Sequence, residues 1–137
     1  MRQKILESGY IQADESYIKV QDRKKKKTTH RGFQWVYNGV EENLILFDYR
    51  KGRDESGLKK FLREYQGWLQ ADGYEVYDKI GARKGIHIVG CHVHARRKLY
   101  EAKEYDRKRA EHALEVFHQY RRSDGYRACG YGSSFCQ

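Results

Sequence analysis

Two aspartates in this 137-residue chain are spaced so that they could act together: Asp14 in the stretch YIQADES and Asp72 in the stretch WLQADGY. Carboxylates at neighbouring strand ends supply the hard oxygens that Mg2+ takes while it keeps water in its other positions. Two such ions activate an attacking oxygen and stabilise a leaving one in phosphoryl transfer. Asp72 also has a structural reading, because an Asp ahead of Gly73 at a strand-to-helix junction is a common turn former. A second constellation is GCHVHARRK, residues 90–98, where Cys91, His92 and His94 precede Arg96, Arg97 and Lys98. Zinc takes Cys and His, but no second ligand pair with finger-like spacing accompanies them. A helix start flanked by His and Arg also suits a phosphate, through backbone N–H groups, the helix dipole and guanidinium forks. The alternative is that His94 packs and the arginines face water. No dinucleotide-binding glycine motif, P-loop or H-E-x-x-H occurs.

These residues sit in a basic chain, with 28 Lys+Arg against 19 Asp+Glu and a formal charge of +9. Most of the excess is in two places. Residues 22–31 (DRKKKKTTHR) hold six basic groups and one acid; residues 94–109 hold seven and three. Local basic patches on a neutral body suit a polyanion, since each neutralised phosphate releases counterions. A solvated turn and a solvated helix face are the competing reading. No apolar run approaches the length of about 18 residues that a membrane span needs. Three cysteines cannot pair completely, and no apolar leader follows Arg2 and Lys4, so a reducing cytoplasm is expected.

The elements that must position Asp14 and Asp72 follow from periodicity. Residues 10–13 and 17–20 form one extended stretch, and Phe33, Trp35 and Tyr37 alternate with Gln34, Val36 and Asn38 at period two. Residues 44–47 make a short apolar run after Asn38-Gly39. The first two strands bracket the basic segment, which must be a hairpin turn. Leu58, Phe61, Leu62 and Tyr65 then fall at helical spacing behind Asp54 or Ser56 as cap, with Gly67 as the expected stop. Trp68, Leu69 and Ala71 read as a fourth strand, Tyr74, Tyr77 and Ile80 as a short helix, and Ile86, Ile88 and Val89 as a fifth strand. From His92 onward the pattern is helical. Three strands, helix, strand, helix, strand, helix is the order of an α/β ribonuclease H-like fold: a five-stranded mixed sheet, an antiparallel meander continued by parallel strands, with flanking helices. The first strand then lies centrally, and Asp14 and Asp72 meet at one sheet edge.

Five blocks carry a resemblance: YIQADES, KKKTTHRGFQWVY, LILFDYRKGRDESG, FLREYQGWLQADGYEVYD and VGCHVHARRKLYEA. In that order they resemble the catalytic core of the insertion sequence 66 transposase family and cover most of residues 10–119. The resemblance implies a DDE-type transposase that cuts and joins DNA by two-metal phosphoryl transfer with Mg2+ or Mn2+. It places Asp14 and Asp72 as the first two acids of the triad, catalytic and metal-binding. It sets His94, Arg96 and Arg97 near the substrate backbone, and Lys24, Lys25, Lys26, Lys27 and Arg31 belong to the basic patch expected to face DNA. Transposon ends, target DNA and further transposase subunits are the implied partners, in a bacterial cytoplasm at the nucleoid, with no membrane.

The chain also departs from the family. A third acid is expected in a block resembling LY-x-IE just past ALEVFHQ, where QYRRSDGYRACG stands instead. Glu111 and Glu115 lie upstream of that block, and Asp124 lacks its context. Ser16-Tyr17 replaces the usual Thr-Pro. The expected organisation is therefore a partial catalytic domain over residues 1–119 and an irregular tail over 120–137, out of frame or truncated. The downstream nucleotides test this. Missing its third carboxylate, the chain is expected to be inactive alone; the alternative is a non-catalytic DNA-binding remnant working through its two basic patches.

Overall fold

The computed structural model describes residues 1–22 and 28–123, with the side chains of 120–123 left out. The chain divides into two compact units, Met1–Val89 and a second from Gly90 onward. The expected boundary between residues 119 and 120 falls inside the last helix.

A short helix, α1 (Arg2–Glu7), precedes β1 (Tyr10–Gln21), β2 (Thr29–Gly39) and β3 (Leu44–Arg50); α2 (Glu55–Leu62), β4 (Gly67–Ala71), α3 (Glu75–Gly81) and β5 (Ile86–Gly90) follow. The strands form one mixed sheet in the order β3-β2-β1-β4-β5, flanked by helices, an α/β arrangement of the ribonuclease H-like kind. β1 is antiparallel to β2 and parallel to β4, and β2 is antiparallel to β3. This is the meander with a central first strand that the periodicity predicts.

Alternation along the strands sets two faces. Ile11 and Ala13 of β1 pair with Gly39 and Tyr37 of β2, and all four are buried. Against that face pack Leu58, Phe61 and Leu62 of α2 and Val76, Tyr77 and Ile80 of α3, with Leu69 of β4 and Ile86 of β5 closing the core. Tyr37 stacks on Phe61 with ring centroids 3.6 Å apart. Asp54 caps α2 by accepting from the Ser56 N–H at 2.9 Å. At its other end, Arg2 of α1 donates to the Lys60 and Phe61 carbonyls at 3.2 and 2.5 Å, carbonyls that a helix terminus leaves without partners. The periodicity gave no sign of α1, which offers a core only Ile5 and the partly buried Leu6.

Gly67 does not end the preceding helix. α2 stops at Leu62, Arg63 takes a φ of +24°, and Gly67 opens β4 with a φ of +146°. A Cβ there would lie 2.7 Å from both the Gly9 carbonyl and the Tyr65 hydroxyl, so the close approach requires glycine.

Beyond Phe33 the sheet narrows to a two-stranded arm, because β3 pairs with β2 from Phe33 to Gly39 and β4 pairs with β1 only at residues 10–12. Asp22 N–H donates to the Thr28 carbonyl at 2.9 Å near the tip. Lys24, Lys25, Lys26 and Lys27 of the basic segment lie outside the described residues.

The second unit comprises α4 (His92–Glu101), a 3-10 turn (Ala102–Glu104) and α5 (Arg107–Ser123). The single final helix expected from the sequence is therefore interrupted. Asp106 restarts it, accepting from the Arg109 N–H through its side chain at 3.1 Å.

Candidate active site

Asp14 and Asp72 are brought together by strand register. In the parallel pair, Tyr10, Ile11 and Gln12 lie opposite Trp68, Leu69 and Gln70. Asp14 and Asp72 each stand two residues further along, at the point where β4 leaves the sheet. One oxygen from each carboxylate lies within 4.8 Å of the other. Asp14 is exposed and Asp72 half-buried.

A ladder of amides fixes that register. Asn38 of β2 donates to Gln12 of β1 at 2.9 Å, and Gln12 donates to the Gln70 Oε1 of β4 at 3.2 Å. The Tyr10 hydroxyl donates to the same oxygen. Gln12 and Gln70 are buried, so a slip of one residue would strand their polar atoms without partners.

Each aspartate is oriented by a backbone N–H. Asp14 Oδ1 accepts from the Glu15 N–H at 2.8 Å, and Asp72 Oδ1 accepts from the Tyr74 N–H at 3.1 Å. The second reading of Asp72, as a turn former, is thus also realised: one oxygen shapes the turn into α3. Among the described residues neither Oδ2 has a hydrogen-bond donor. The two carboxylate oxygens are hard donors of the kind that a divalent cation such as Mg2+ or Mn2+ takes.

Glu15 is a site residue that the sequence reading missed. Its side chain is fully buried on the core face, opposite to Asp14. Glu15 Oε1 accepts from Arg53 Nε at 2.8 Å and Nη2 at 2.5 Å, and Oε2 accepts from the Tyr77 hydroxyl at 2.6 Å. Burial pushes the Glu15 carboxyl above its ordinary value, against the downward pull of Tyr77 and Arg53. Burial likewise drives the Tyr77 phenol up, reinforced by the neighbouring Glu15 charge, so Tyr77 stays a donor. Burial works to lower the Arg53 guanidinium, but the Glu15 bond and charge outweigh it and hold Arg53 ionised. The available signal was period two: Glu15 shares a face with Ile11 and Ala13, and a carboxylate on a core face needs a partner.

The basic residues fall in separate places. Arg31 is exposed on the two-stranded arm, its guanidinium 4.6 Å over the Tyr17 ring and 5.6 Å over Phe33. In the second unit, α4 carries His94, Arg96 and Arg97; His94 and Arg96 are half-buried, and Arg97 is exposed. Arg96 lies 4.6 Å over the ring of Tyr100. Asp124 lies outside the described residues. Of the upstream acids, Glu111 is engaged by Arg107 at 2.9 Å and by Lys103 at 3.6 Å.

An α/β fold with a central first strand and two carboxylates at its edge defines a ribonuclease H-like protein with a candidate cation site. The family model described as "Transposase IS66 family" matches residues 1–123, and the chain belongs to that family of DDE transposases. The chain is 26% identical to "Uncharacterized protein y4qI" of Sinorhizobium fredii (strain NBRC 101917 / NGR234), across 72% of this chain. It spans about a fifth, 21%, of that relative's length. It also resembles, at 15% identity and a TM-score of 0.41, a chain from the cryoEM structure of the simian T-cell lymphotropic virus intasome in complex with PP2A regulatory subunit B56 gamma, over 80% of this chain and 46% of that one. Among the described residues, no helix is long and apolar enough to cross a membrane.

Proposed function

We propose that the chain is the front part of a DDE transposase core, residues 1–119 forming a partial catalytic domain that acts on transposon-end and target DNA with other transposase subunits. The observation that carries this reading is the pairing of Asp14 and Asp72 at equal steps beyond a parallel register, inside a family match of 123 residues. When bound there, Mg2+ or Mn2+ would activate an attacking oxygen and stabilise a leaving one. Asp14 and Asp72 would supply its carboxylate ligands, each with Oδ1 held by a backbone N–H and Oδ2 presented. Arg31 on the arm, with Lys24, Lys25, Lys26 and Lys27, would track the DNA backbone, and His94, Arg96 and Arg97 would contact phosphates near the scissile bond.

Only two carboxylates meet at this edge among the described residues, and Glu15 is consumed by Arg53 and Tyr77. A hard cation held by two acids relies more on water than one held by three. Strand cleavage by this chain alone should therefore be weak or absent. The same shortfall favours a second role, a non-catalytic DNA-binding remnant working through the two basic patches.

A Mn2+-dependent nicking assay on the element's end DNA tests the first reading, with Asp14→Asn and Asp72→Asn as controls. Any nicking should vanish in both variants; nicking that survives both changes overturns the assignment. For DNA binding, neutralising Lys24, Lys25, Lys26 and Lys27 should lower affinity and flatten its salt dependence by a slope of about 0.9 for each phosphate no longer neutralised. An unchanged slope removes the basic segment from the interface.

A further inference from the structure

We infer that Glu15 is a positioning residue: its buried carboxylate clamps Arg53 and Tyr77 beneath the sheet and thereby holds Asp14 and Asp72 in place for a divalent cation. The inference rests on the reading of those aspartates as metal ligands and names a residue outside that ligand set.

Three segments converge on this one side chain. Glu15 belongs to β1, Arg53 to the loop before α2, and Tyr77 to α3, 38 and 62 residues away from it. Arg53 then passes the constraint on. Its guanidinium lies 3.7 Å over the Tyr74 ring, and the Tyr74 hydroxyl donates to the Arg53 carbonyl at 3.2 Å. Tyr74 in turn supplies the N–H that orients Asp72, while the N–H of Glu15 itself orients Asp14. One residue thus reaches both aspartates, the first through its backbone and the second through Arg53 and Tyr74.

Charge makes the clamp specific. The Arg53 guanidinium is close enough to Asp72 to feel its charge, and a guanidinium there competes with a cation for that carboxylate, because an Arg fork matches carboxylate geometry. Two hydrogen bonds onto Glu15 Oε1 hold Arg53 against the core side instead. A buried carboxylate would be costly without partners; here both oxygens are paired, so the arrangement is tolerated. With the Glu15 charge removed, Arg53 is released to pair with Asp72, and the cation loses a ligand.

The experiment measures Mn2+ binding to the full chain by electron paramagnetic resonance, with the unfolding midpoint of every variant recorded in parallel. Glu15→Gln should weaken Mn2+ binding about tenfold or more, the effect typical of residues that orient metal ligands. The double variant Glu15→Gln with Arg53→Gln should regain affinity relative to Glu15→Gln, since the released competitor is gone, whether or not its midpoint recovers. A purely structural role for Glu15 predicts no such regain. Wild-type affinity in Glu15→Gln, or equal affinities in the single and double variants, overturns the inference. Should Glu15→Gln not fold, Tyr77→Phe removes one hydrogen bond to the clamp; a loss of about threefold or more supports the proposal and an unchanged affinity overturns it. Asp14→Asn and Asp72→Asn separate the two levels. If neither lowers Mn2+ binding, the metal-site reading itself fails; if both do and Glu15→Gln does not, only the positioning role fails.

Discussion

In residues 1–89 the buried apolar side chains form one cluster running from Ile5 to Ile86, whereas in the helices after Gly90, α4 buries no residue fully and the described side chains of α5 bury Ala110 and Leu114. The second unit is dressed instead with exposed pairs: Lys98 with Glu101, Arg107 with Glu111, and Arg109 with Asp106. Surface pairs of this kind contribute little to stability, while each large apolar side chain placed in a core contributes about 1.5–3 kcal/mol. The division matches what each part has to offer. Under the proposed function, two carboxylates sharing a cation need a frame stiff enough to oppose their repulsion, and the sheet would supply it. Under the same proposal, helices that meet DNA would need charge at their surface, and a rich core would compete for the same positions.

The sharpest way to break that comparison is truncation on both sides. Leu62→Ala, at a fully buried position between α2 and the sheet, should cost about 2–5 kcal/mol, the usual range for core leucines. Leu114→Ala removes the same atoms from a thinner layer and should sit at or below the bottom of that range, because a site that can collapse leaves less cavity. Urea unfolding checks this, with tryptophan fluorescence for the sheet unit, where both Trp35 and Trp68 lie, and circular dichroism for the helices. Equal costs would erase the contrast between the units.

Two tyrosines inside the first unit sharpen it further. Tyr37 and Tyr77 are both fully buried, and burial raises both phenols above their ordinary range. The Tyr77 hydroxyl donates to Glu15, while the Tyr37 hydroxyl has no hydrogen-bond partner among the described residues. Tyr77→Phe should therefore cost about 1.5–3 kcal/mol, as for a bond to a charged acceptor. Tyr37→Phe should be neutral or stabilising, because it removes an unpaired polar group and keeps the ring stacked on Phe61. Thermal melts of the two variants decide this; a larger loss in Tyr37→Phe would mean that the polar clamp, unlike the stacked core, adds nothing to the frame.

Much of the frame was legible because strands and helices advertise themselves by period. Alternation at Phe33, Trp35 and Tyr37 and the helical spacing of Leu58, Phe61 and Leu62 placed the elements, and the element order then fixed a central β1 and the meeting of Asp14 with Asp72. What escaped depends on distance or on weak local signals. α1 has six residues and one fully buried side chain, too little to register as a period. Gly67 looked like a helix stop, but its role is set by the approach of the Gly9 carbonyl from a distant part of the chain. The break at Ala102–Glu104 carries neither Gly nor Pro, and only the Asp106 cap marks it. The Glu15 clamp joins residues far apart in the chain, so no window along the sequence contains it, although a carboxylate on an apolar strand face was a visible anomaly.

The smallest effect separates the units by pH. The Arg107 hydrogen bond, aided by the charges of Arg107 and Lys103, holds the exposed Glu111 carboxyl below its ordinary value of 4.5. Its stabilising contribution is therefore complete above 4.5 and is lost as pH falls through the lower folded-state value. Glu15 in the sheet unit runs the other way: burial holds its carboxyl above 4.5, so its contribution is complete below that value and declines as pH rises through the raised one. Midpoints followed from acid to neutral pH should show wild type and Glu111→Gln converging toward low pH, with a small wild-type advantage at neutrality. The wild-type margin over Glu15→Gln should instead shrink as pH rises. Margins that moved in the same direction would show that solvent, and not burial, governs both acids, and the contrast between a buried frame and a charged surface would lose its electrostatic half.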